Sequence, residues 1–397
     1  MDTNNKVYIQ NFWFVNNYGA CLTAYSLYNI LININYKPYL IDASNYGEKL
    51  TYIFRDFIKK YCKTINANIV RNMYASTFIT GSDQVFRPKL TKENFSQFML
   101  NFVPEASKKI SFSASFGVDK NAFLRETNEK IINQMQTSLN SFDYVSVREK
   151  SGVTICRDIF DIKADWIIDP VFILSKEYFK KLAAFSNKKY PKIIASCMFD
   201  KKNKKLDKFL SKKYGYRVIE MHNSNFTIED WLNIIMNCEF LITNSYHAMC
   251  FAIIFNKPFI CLSKDTGAAA RFASLFEMLS IENQSIDSIY EIYKKDCIFK
   301  INYKKVNEKI EEEREKGLDF LKKALEAPNE HFEEKQNVRK QYFEDKIYEL
   351  EKKANLKYQL KQLFWNIWLI IFHKFLPETV KILIRKLREN ENAYNRK

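Results

Sequence analysis

The sequence predicts an α/β protein in which two Rossmann-like lobes are followed by a helical C-terminal extension. Segments typical of strands and of helices alternate over the first 300 residues, which is the pattern of βαβ units around a parallel sheet. The alternation begins a second series near Asp169-Pro170, and from about Tyr303 the chain is rich in lysine and glutamate. The expected domains are therefore residues 1–165, 166–300 and 301–397.

The first series opens with a short strand at Val7–Gln10 and a segment over Ala20–Ile32 with helical spacing of its apolar residues. A second strand, Tyr39–Asp42, follows Pro38. Further strands are expected at 77–80, 110–115, 144–147 and 166–168.

The second series predicts strands at 192–198, 217–221, 239–243 and 258–262, of which we take the fourth as the last strand of the chain. Helices are expected at 201–214, 228–237 and 248–255. The hinge between the lobes is expected near residues 160–180. Residues 304–360 are predicted to form solvated helices, with at most a short coiled-coil segment.

Composition narrows the class of protein. With 397 residues, of which 47% are hydrophobic and 15% aromatic, the chain is long and apolar enough for sizeable cores, which excludes wholesale disorder. No stretch reaches the roughly 18 uncharged apolar residues of a spanning helix, and the polar N-terminus does not resemble a secretory signal, so a cytoplasmic location is expected.

The cysteines and histidines indicate neither a disulfide framework nor a metal site. Eight cysteines occur without a CxxC pair, which favours reduced cysteines packed in a core. Four histidines lack metal-ligand spacing, so no metal ion is expected.

The net charge of +16 suggests an anionic partner: a nucleic acid, a phosphate-bearing substrate or an anionic membrane surface. A compositional bias of the source genome would produce the same excess. Because no nucleic-acid-binding motif is present and the basic residues are spread along the chain, a nucleic acid is not expected among the partners.

The tail, residues 356–397, combines an apolar segment containing Trp365 and Trp368 with a basic amphipathic helix after Pro377. It holds nine Lys/Arg against three Glu, a net charge of +6. This pattern is typical of a helix lying in the plane of an anionic membrane surface. The alternative is a helix packed onto the body of the protein or onto a partner subunit, as in a homo-oligomer.

The strongest local signal for chemistry lies at residues 240–248, where an apolar strand ends and an apolar helix begins at once. Ligands of open α/β sheets bind beyond the carboxyl ends of strands, where helix N-termini expose unpaired N–H groups. His247 is therefore placed to reach a bound anion. Asn244 and Ser245 are candidates either to cap the helix or to contact a ligand.

Two other turns repeat this arrangement. At the end of strand 77–80, Gly81 permits a tight turn, and Ser82, Asp83 and Gln84 follow it as candidate binding groups. Asp83 could orient a sugar hydroxyl or a catalytic proton carrier.

Between the first strand and its helix, Asn17 and Gly19 are candidates for contact with a ligand at the helix N-terminus. This turn is neither a GxGxxG fingerprint nor a P-loop, so a dinucleotide or nucleoside triphosphate is not indicated. Arg148 and Arg271 are the cationic candidates, because arginine suits bidentate recognition of carboxylate and phosphate; each could also be a surface or ion-paired arginine.

Taken in order, these segments resemble the polysaccharide pyruvyl transferase family across residues 10–280. The resemblance rests on Asn17-Tyr18-Gly19, the run from Gly81 to Phe86, the run from Ser111 to Gly117, the run from Val145 to Glu149, Asp169-Pro170-Val171, and the run from Thr243 to His247 leading to Lys257-Pro258-Phe259.

This resemblance implies a GT-B-like fold and the transfer of a pyruvyl group from phosphoenolpyruvate to sugar hydroxyls, with a ketal as product, without a cofactor or metal ion. His247 matches the histidine expected in the active site. One departure is Ala248, where many members carry glycine directly after this histidine.

The mechanistic hypothesis assigns proton transfer to His247, because a histidine side chain titrates near neutral pH. Arg148 and Arg271 would hold the carboxylate and the phosphate, and Asp83 would position the acceptor or the acid. The acceptor is expected to be a sugar of a cell-surface polysaccharide or of its lipid-linked precursor. The alternatives are a GT-B-type glycosyltransferase with a nucleotide-sugar donor and a non-catalytic scaffold.

Overall fold

The computed structural model describes residues 5–42, 52–73, 76–198, 204–221, 226–262, 269–281, 285–286, 288, 290–294 and 301–373. Its strands are β1 Lys6–Gln10, β2 Lys37–Asp42, β3 Thr64–Asn66, β4 Thr77–Thr80, β5 Lys108–Ala114, β6 Tyr144–Val147, β7 Asp165–Trp166, β8 Ile193–Cys197, β9 Arg217–Glu220, β10 Phe240–Thr243, β11 Phe259–Leu262 and β12 Ser285–Ile286.

The α-helices of the described residues are α1 Tyr18–Asn33, α2 Tyr52–Tyr61, α3 Ala67–Val70, α4 Pro88–Thr91, α5 Phe95–Phe98, α6 Lys120–Glu126, α7 Glu129–Leu139, α8 Lys150–Phe160, α9 Pro170–Ile173, α10 Lys176–Ala184, α11 Lys204–Tyr214, α12 Ile228–Asn237, α13 Tyr246–Ile254, α14 Ala269–Met278, α15 Tyr290–Lys294, α16 Tyr303–Glu326 and α17 Phe332–His373. A 3₁₀ turn, Lys92–Asn94, lies between α4 and α5.

The first sheet has seven parallel strands in the order β3-β2-β1-β4-β5-β6-β7. The chain winds from β1 to one edge and then returns to β4, so the direction of winding changes between β1 and β4. Gln10 at the end of β1 lies opposite Thr80 at the end of β4. At such a switch point the two following loops diverge and leave a crevice at the carboxyl edge of the sheet.

The second sheet has five parallel strands in the order β12-β11-β10-β8-β9. Its direction of winding changes between β8 and β10, where Cys197 lies opposite Thr243. One face of the sheet packs on α11 and α15 through a buried cluster that includes Ile194, Leu210 and Ile260.

Two apolar helices leave these switch points and carry residues of the candidate site in their first turns. α1 follows β1, and the side chain of Asn17 caps it by accepting a hydrogen bond from Ala20 N–H. α13 follows β10, and Ser245 caps it in the same way through Ala248 N–H. Every residue of α13 is buried, which explains why its sequence is apolar on all sides.

The α/β fold class predicted from the sequence is confirmed: two Rossmann-like lobes, each with a parallel sheet, are followed by a helical C-terminal region. The strands β3 and β12 escaped the prediction because they are only three and two residues long, so residues 258–262 do not form the last strand. Residues 201–203 of the predicted helix 201–214 lie outside the described part of the chain.

The prediction of solvated helices over 304–360 is wrong for α16. This helix buries an apolar side that includes Ile310 and Phe320, and Phe320 stacks on Phe112 of β5. Gly317 lies where a side chain would meet Ile173, since a Cβ atom there would be 2.4 Å from Ile173 Cδ1. The glycine that interrupts the charged pattern therefore allows α16 to approach α9.

The chain divides into two compact units, residues 1–339 and 340–397. The expected boundaries at 165/166 and 300/301 stay predictions. In the second unit the helix is described up to His373, and residues 374–397 of the predicted tail lie outside the described residues. Among the helices that the structure describes, none has the length and apolar character needed to cross a membrane.

Candidate active site

The candidate site is centred on Arg148, which follows β6 and is 3% exposed. Its Nη1 donates a hydrogen bond of 2.6 Å to Asp169 Oδ2, and its Nη2 donates one of 3.1 Å to Asp83 Oδ1. A buried guanidinium needs such partners, because an unpaired buried charge is strongly destabilising. The two carboxylates raise the pKa of Arg148 against the opposing effect of burial, so the guanidinium is charged.

Asp169 joins the ionic cluster of Arg148, Asp83 and Asp169 to the start of α9. Its Oδ1 accepts a hydrogen bond from Val171 N–H and caps α9, while its Oδ2 accepts from Arg148 and, at 3.1 Å, from Ser82 Oγ. Burial alone would raise the pKa of Asp169. The neighbouring His247 and the charge of Arg148 outweigh burial and hold that pKa well below its ordinary value.

Asp83 occupies the turn after β4 with a φ of 88°, a left-handed conformation that is rare outside glycine. Its carbonyl oxygen accepts a hydrogen bond from Ser115 N–H, and its side-chain Oδ1 accepts from Gln84 N–H. Burial opposes ionisation, but the charges of Arg148, His247 and Arg271 lower the pKa of Asp83 below its ordinary value. The turn therefore presents an ionised carboxylate to the cluster.

His247 lies in the first turn of α13 and contacts the same cluster from the second lobe. Its Nε2 is 3.6 Å from Asp169 Oδ2, 3.4 Å from Arg148 Nη1 and 3.1 Å from Thr23 Oγ1 of α1. The other side of the ring lies against Gly19, where a Cβ atom would be only 2.0 Å from Nδ1. The missing side chain of Gly19 therefore makes room for the imidazole.

Arg271 of α14 is linked to the ionic cluster by its contact with the aromatic ring of Tyr246, which Arg148 also contacts. Its Cζ lies 5.3 Å from the centre of that ring, and Arg148 Cζ lies 4.7 Å from the same centre. Burial and the charge of Arg148 lower the pKa of Arg271 to about 10. Two cationic groups thus share one ring beside His247.

Glu149 adds a third carboxyl group behind Arg148. Its Oε1 accepts hydrogen bonds from Ser115 Oγ and from the backbone N–H groups of Phe116 and Gly117. Its Oε2 lies 3.9 Å from Arg148 Nε. Burial raises the pKa of Glu149 despite the neighbouring Arg148. Within the described chain, Glu149 Oε2, Arg148 Nε and Arg271 Nε have no hydrogen-bond partner.

The structure thus brings together five of the predicted site residues. Four of them, Ser82, Asp83, Arg148 and His247, belong to or contact the ionic cluster, and the fifth, Gly19, lies against the Nδ1 edge of the His247 ring. Arg271 joins them through Tyr246. The others make local contacts instead: Asn17 and Ser245 cap helices, Asn244 lies buried in the turn between β10 and α13, and Gln84 accepts a hydrogen bond from Arg87. Whether any of them contacts substrate stays a prediction.

Four contributors had no predicted role: Thr23, Glu149, Asp169 and Tyr246. Two gave a usable signal in the sequence, because Glu149 is next to Arg148 and Asp169 begins an Asp-Pro pair. Thr23 gave none, since it lies in the middle of an apolar helix.

The arrangement is suited to binding an anion and moving a proton. It combines two guanidiniums, a histidine and the N-terminus of α13, whose partial positive charge also favours an anion. In the part of the chain that the structure describes, no group of three or more His, Cys, Asp or Glu side chains is arranged to hold a metal ion.

Several solved structures are similar to this chain at low sequence identity. An uncharacterized protein from Klebsiella pneumoniae subsp. pneumoniae NTUH-K2044 is 14% identical, with a TM-score of 0.42 over 72% of this chain and 94% of that chain. Arabidopsis thaliana UGT89C1 is 8% identical, with a TM-score of 0.46 over 80% and 98% of the two chains. The UDP-GlcNAc 2-epimerase from Neisseria meningitidis is 11% identical, with a TM-score of 0.46 over 86% and 99%.

No significant match was found among curated proteins. The sequence model of one family, described as polysaccharide pyruvyl transferase, matches residues 17–266. This range is more than half of the chain, and it contains all the residues of the ionic cluster, from Ser82 to His247. The chain therefore belongs to the polysaccharide pyruvyl transferase family and is a transferase.

Proposed function

We propose that this transferase moves a pyruvyl group from phosphoenolpyruvate to a sugar of a cell-surface polysaccharide or of its lipid-linked precursor, forming a ketal. The observation that carries the proposal is the pair of arginines on Tyr246 beside His247. Arg148 and Arg271 each keep a buried Nε without a hydrogen-bond partner among the described residues. Phosphoenolpyruvate offers the carboxylate and phosphate oxygens that such groups bind.

Arg271 is the better candidate for direct contact with the donor. Arg148 already pairs with both Asp83 and Asp169, so its charge is compensated within the protein. Arg271 is only partly buried and lies against an aromatic ring. The negative charge of an anion beside Arg271 would stabilise the charged guanidinium and so oppose the effect of burial on its pKa.

The proposed reaction needs one proton at the donor carbon and two acceptor hydroxyls. His247 in its imidazolium form protonates the methylene carbon of phosphoenolpyruvate, which makes C2 electrophilic and leaves the imidazole neutral. One sugar hydroxyl oxygen then bonds to C2 as its proton passes to the neutral His247. A second hydroxyl oxygen bonds to C2 as the C–O bond to phosphate breaks, and its proton leaves with the phosphate, so the products are the ketal and inorganic phosphate. Asp83 positions the acceptor or the proton carrier, and no cofactor is required.

Phosphoenolpyruvate is expected to protect the protein against thermal unfolding. At a hundred times its dissociation constant, it should add about 2.7 kcal/mol to the free energy of unfolding. Loss of one charge-assisted contact in Arg271→Met should weaken this binding by roughly 10- to 100-fold. Arg157→Met is the matched control, since Arg157 is exposed and pairs only locally with Asp158. His247→Gln should keep the protection and lose transfer.

Protection by a nucleotide sugar and not by phosphoenolpyruvate would refute this proposal and support the alternative, a GT-B-type glycosyltransferase. Full transfer activity in a folded His247→Gln variant would refute the role of the histidine alone.

The tail supports a second part of the proposal, that the enzyme works in the cytoplasm at the inner face of the membrane. In the second unit, the helix exposes large apolar side chains close to its lysines: Leu356, Tyr358, Leu360, Leu363, Phe364 and Trp365. Apolar area beside positive charge is what binds an anionic lipid surface. The same segment could instead join two copies as a homo-oligomer.

Deletion of residues 356–397 is expected to abolish sedimentation of the protein with anionic phosphatidylglycerol vesicles and to leave protection by phosphoenolpyruvate intact. The control is binding to neutral phosphatidylcholine vesicles, which should be weak in both forms. Equal vesicle binding by the truncated protein would contradict the membrane role. A change from dimer to monomer in light scattering, without any vesicle binding by the full chain, would assign the tail to a homo-oligomer.

A further inference from the structure

A hydroxyl of α1 lies against the histidine of α13. Thr23 Oγ1 is 3.1 Å from His247 Nε2, and both side chains are buried. The two residues are 224 positions apart and belong to different lobes. The contact is therefore a product of the fold and not of local sequence.

The direction of this hydrogen bond follows from the second partner of Thr23. Its hydroxyl donates to Gly19 O at 2.7 Å, one turn earlier in α1. A threonine hydroxyl has one hydrogen, so Oγ1 faces Nε2 with a lone pair. Nε2 must therefore carry the hydrogen that joins the two side chains.

The other groups around Nε2 agree with this direction. Asp169 Oδ2, at 3.6 Å, accepts hydrogen bonds only, because its carboxyl is ionised. Arg148 Nη1, at 3.4 Å, is a donor. With hydrogen on both atoms, the contact between Arg148 and His247 is no hydrogen bond. Asp169 Oδ2 accepts a hydrogen bond from Arg148 Nη1 and lies 3.6 Å from His247 Nε2, so its negative charge faces both groups.

The opposite edge of the ring has a different environment. Nδ1 lies against Gly19, in the first turn of α1. The N–H groups of a first helical turn give this end of the helix a partial positive charge. In the neutral ring, such a charge favours the lone pair at Nδ1 and the hydrogen at Nε2.

We propose that Thr23 is a positioning residue that fixes the hydrogen of His247 on Nε2 and holds that nitrogen at the ionic cluster. The inference rests on the proposed function only where it concerns catalysis. Proton transfer would then proceed through Nε2, while Nδ1 is shielded by Gly19. Thr23 itself does not touch the donor.

The test is imidazole ¹⁵N NMR of the full-length protein labelled at histidine. The sequence contains four histidines, so a His247→Gln spectrum identifies the signal of His247. In wild-type protein, at a pH at which the imidazole of His247 is neutral, its Nε2–H tautomer should dominate. Thr23→Val removes the acceptor at similar volume and should lower the ratio of Nε2–H to Nδ1–H by roughly fivefold, the value of one hydrogen bond. Thr23→Ser keeps the hydroxyl and should restore the wild-type ratio.

Activity gives an independent measurement. Thr23→Val should lower kcat with little change in KM for phosphoenolpyruvate, and Thr23→Ser should recover most of the kcat. If Thr23→Val does not fold, Thr23→Ala offers the same comparison with less bulk. An unchanged tautomer ratio in a folded variant without the hydroxyl would overturn the inference. An altered ratio in a protein that does not use phosphoenolpyruvate would keep the inference and refute the proposed function.

Discussion

Asp169→Asn is expected to destabilise the protein by about 3–5 kcal/mol, the usual cost of removing one partner of a buried ion pair. The asparagine keeps the shape of the side chain and can still cap α9 through its oxygen. It no longer provides the charge that Arg148 Nη1 reaches at 2.6 Å and His247 Nε2 approaches at 3.6 Å. Transfer should be lost as well, because both groups take their position from this carboxylate.

The measurement is chemical unfolding of the two proteins at neutral pH. Asp158→Asn is the control, because Asp158 also pairs with two cations, Lys120 and Arg157, but lies at the surface. That substitution should leave the unfolding midpoint unchanged. A loss of less than 1 kcal/mol in Asp169→Asn would show that the cluster does not depend on this charge.

The difference in unfolding free energy between wild type and Asp169→Asn should depend on pH in a definite direction. The pKa of Asp169 is depressed in the folded protein, so the unfolded chain takes up a proton at this position before the folded protein does. The stabilisation by Asp169 is therefore fully present above the ordinary aspartate pKa of about 3.9 and is lost as the pH falls below it. The difference in unfolding free energy between wild type and Asp169→Asn should be constant from about pH 8 to 5 and should shrink below about pH 4.

Much of this site could be predicted because it follows from topology. In parallel sheets the carboxyl ends of all strands lie on one edge, so polar residues directly after strands meet there. That rule identified Ser82 and Asp83 after β4, Arg148 after β6 and His247 after β10. The structure adds that β4 and β10 both lie at a switch point, where the crevice opens.

Asp169 shows why the other residues of the site could not be predicted from the sequence. An aspartate before a proline has a sufficient local explanation as a helix cap, and Asp169 does cap α9. Its second oxygen serves the ionic cluster, and only the fold shows that the two roles coexist. Thr23 poses the same difficulty, because its bond to Gly19 O is an ordinary helical contact. Long-range partners leave no periodic signal in a single sequence.

Gly19→Ala is expected to impair the enzyme by displacing His247. Within a helix this substitution ordinarily stabilises by up to about 1 kcal/mol. Here the new Cβ atom would lie 2.0 Å from Nδ1, 2.3 Å from Cγ and 2.6 Å from Cβ of His247. These atoms are close to the backbone of α13, so the ring cannot avoid the overlap by moving its far end. We expect a destabilisation of about 1–3 kcal/mol, typical of overpacking, and a kcat lowered together with the loss of the contact between Thr23 and His247.

A double-mutant cycle with His247→Gly separates this overlap from any other effect of the new methyl group. Removing the whole side chain of His247 also removes all three close contacts. In that background, Gly19→Ala should be neutral or stabilising, as in an ordinary helix. The destabilisation by Gly19→Ala should thus disappear in the His247→Gly background, as expected of two residues in direct contact. An equal cost in both backgrounds would show that Gly19 is needed for the backbone of α1 and not for His247. The glycine would then be unrelated to the position of the proton carrier.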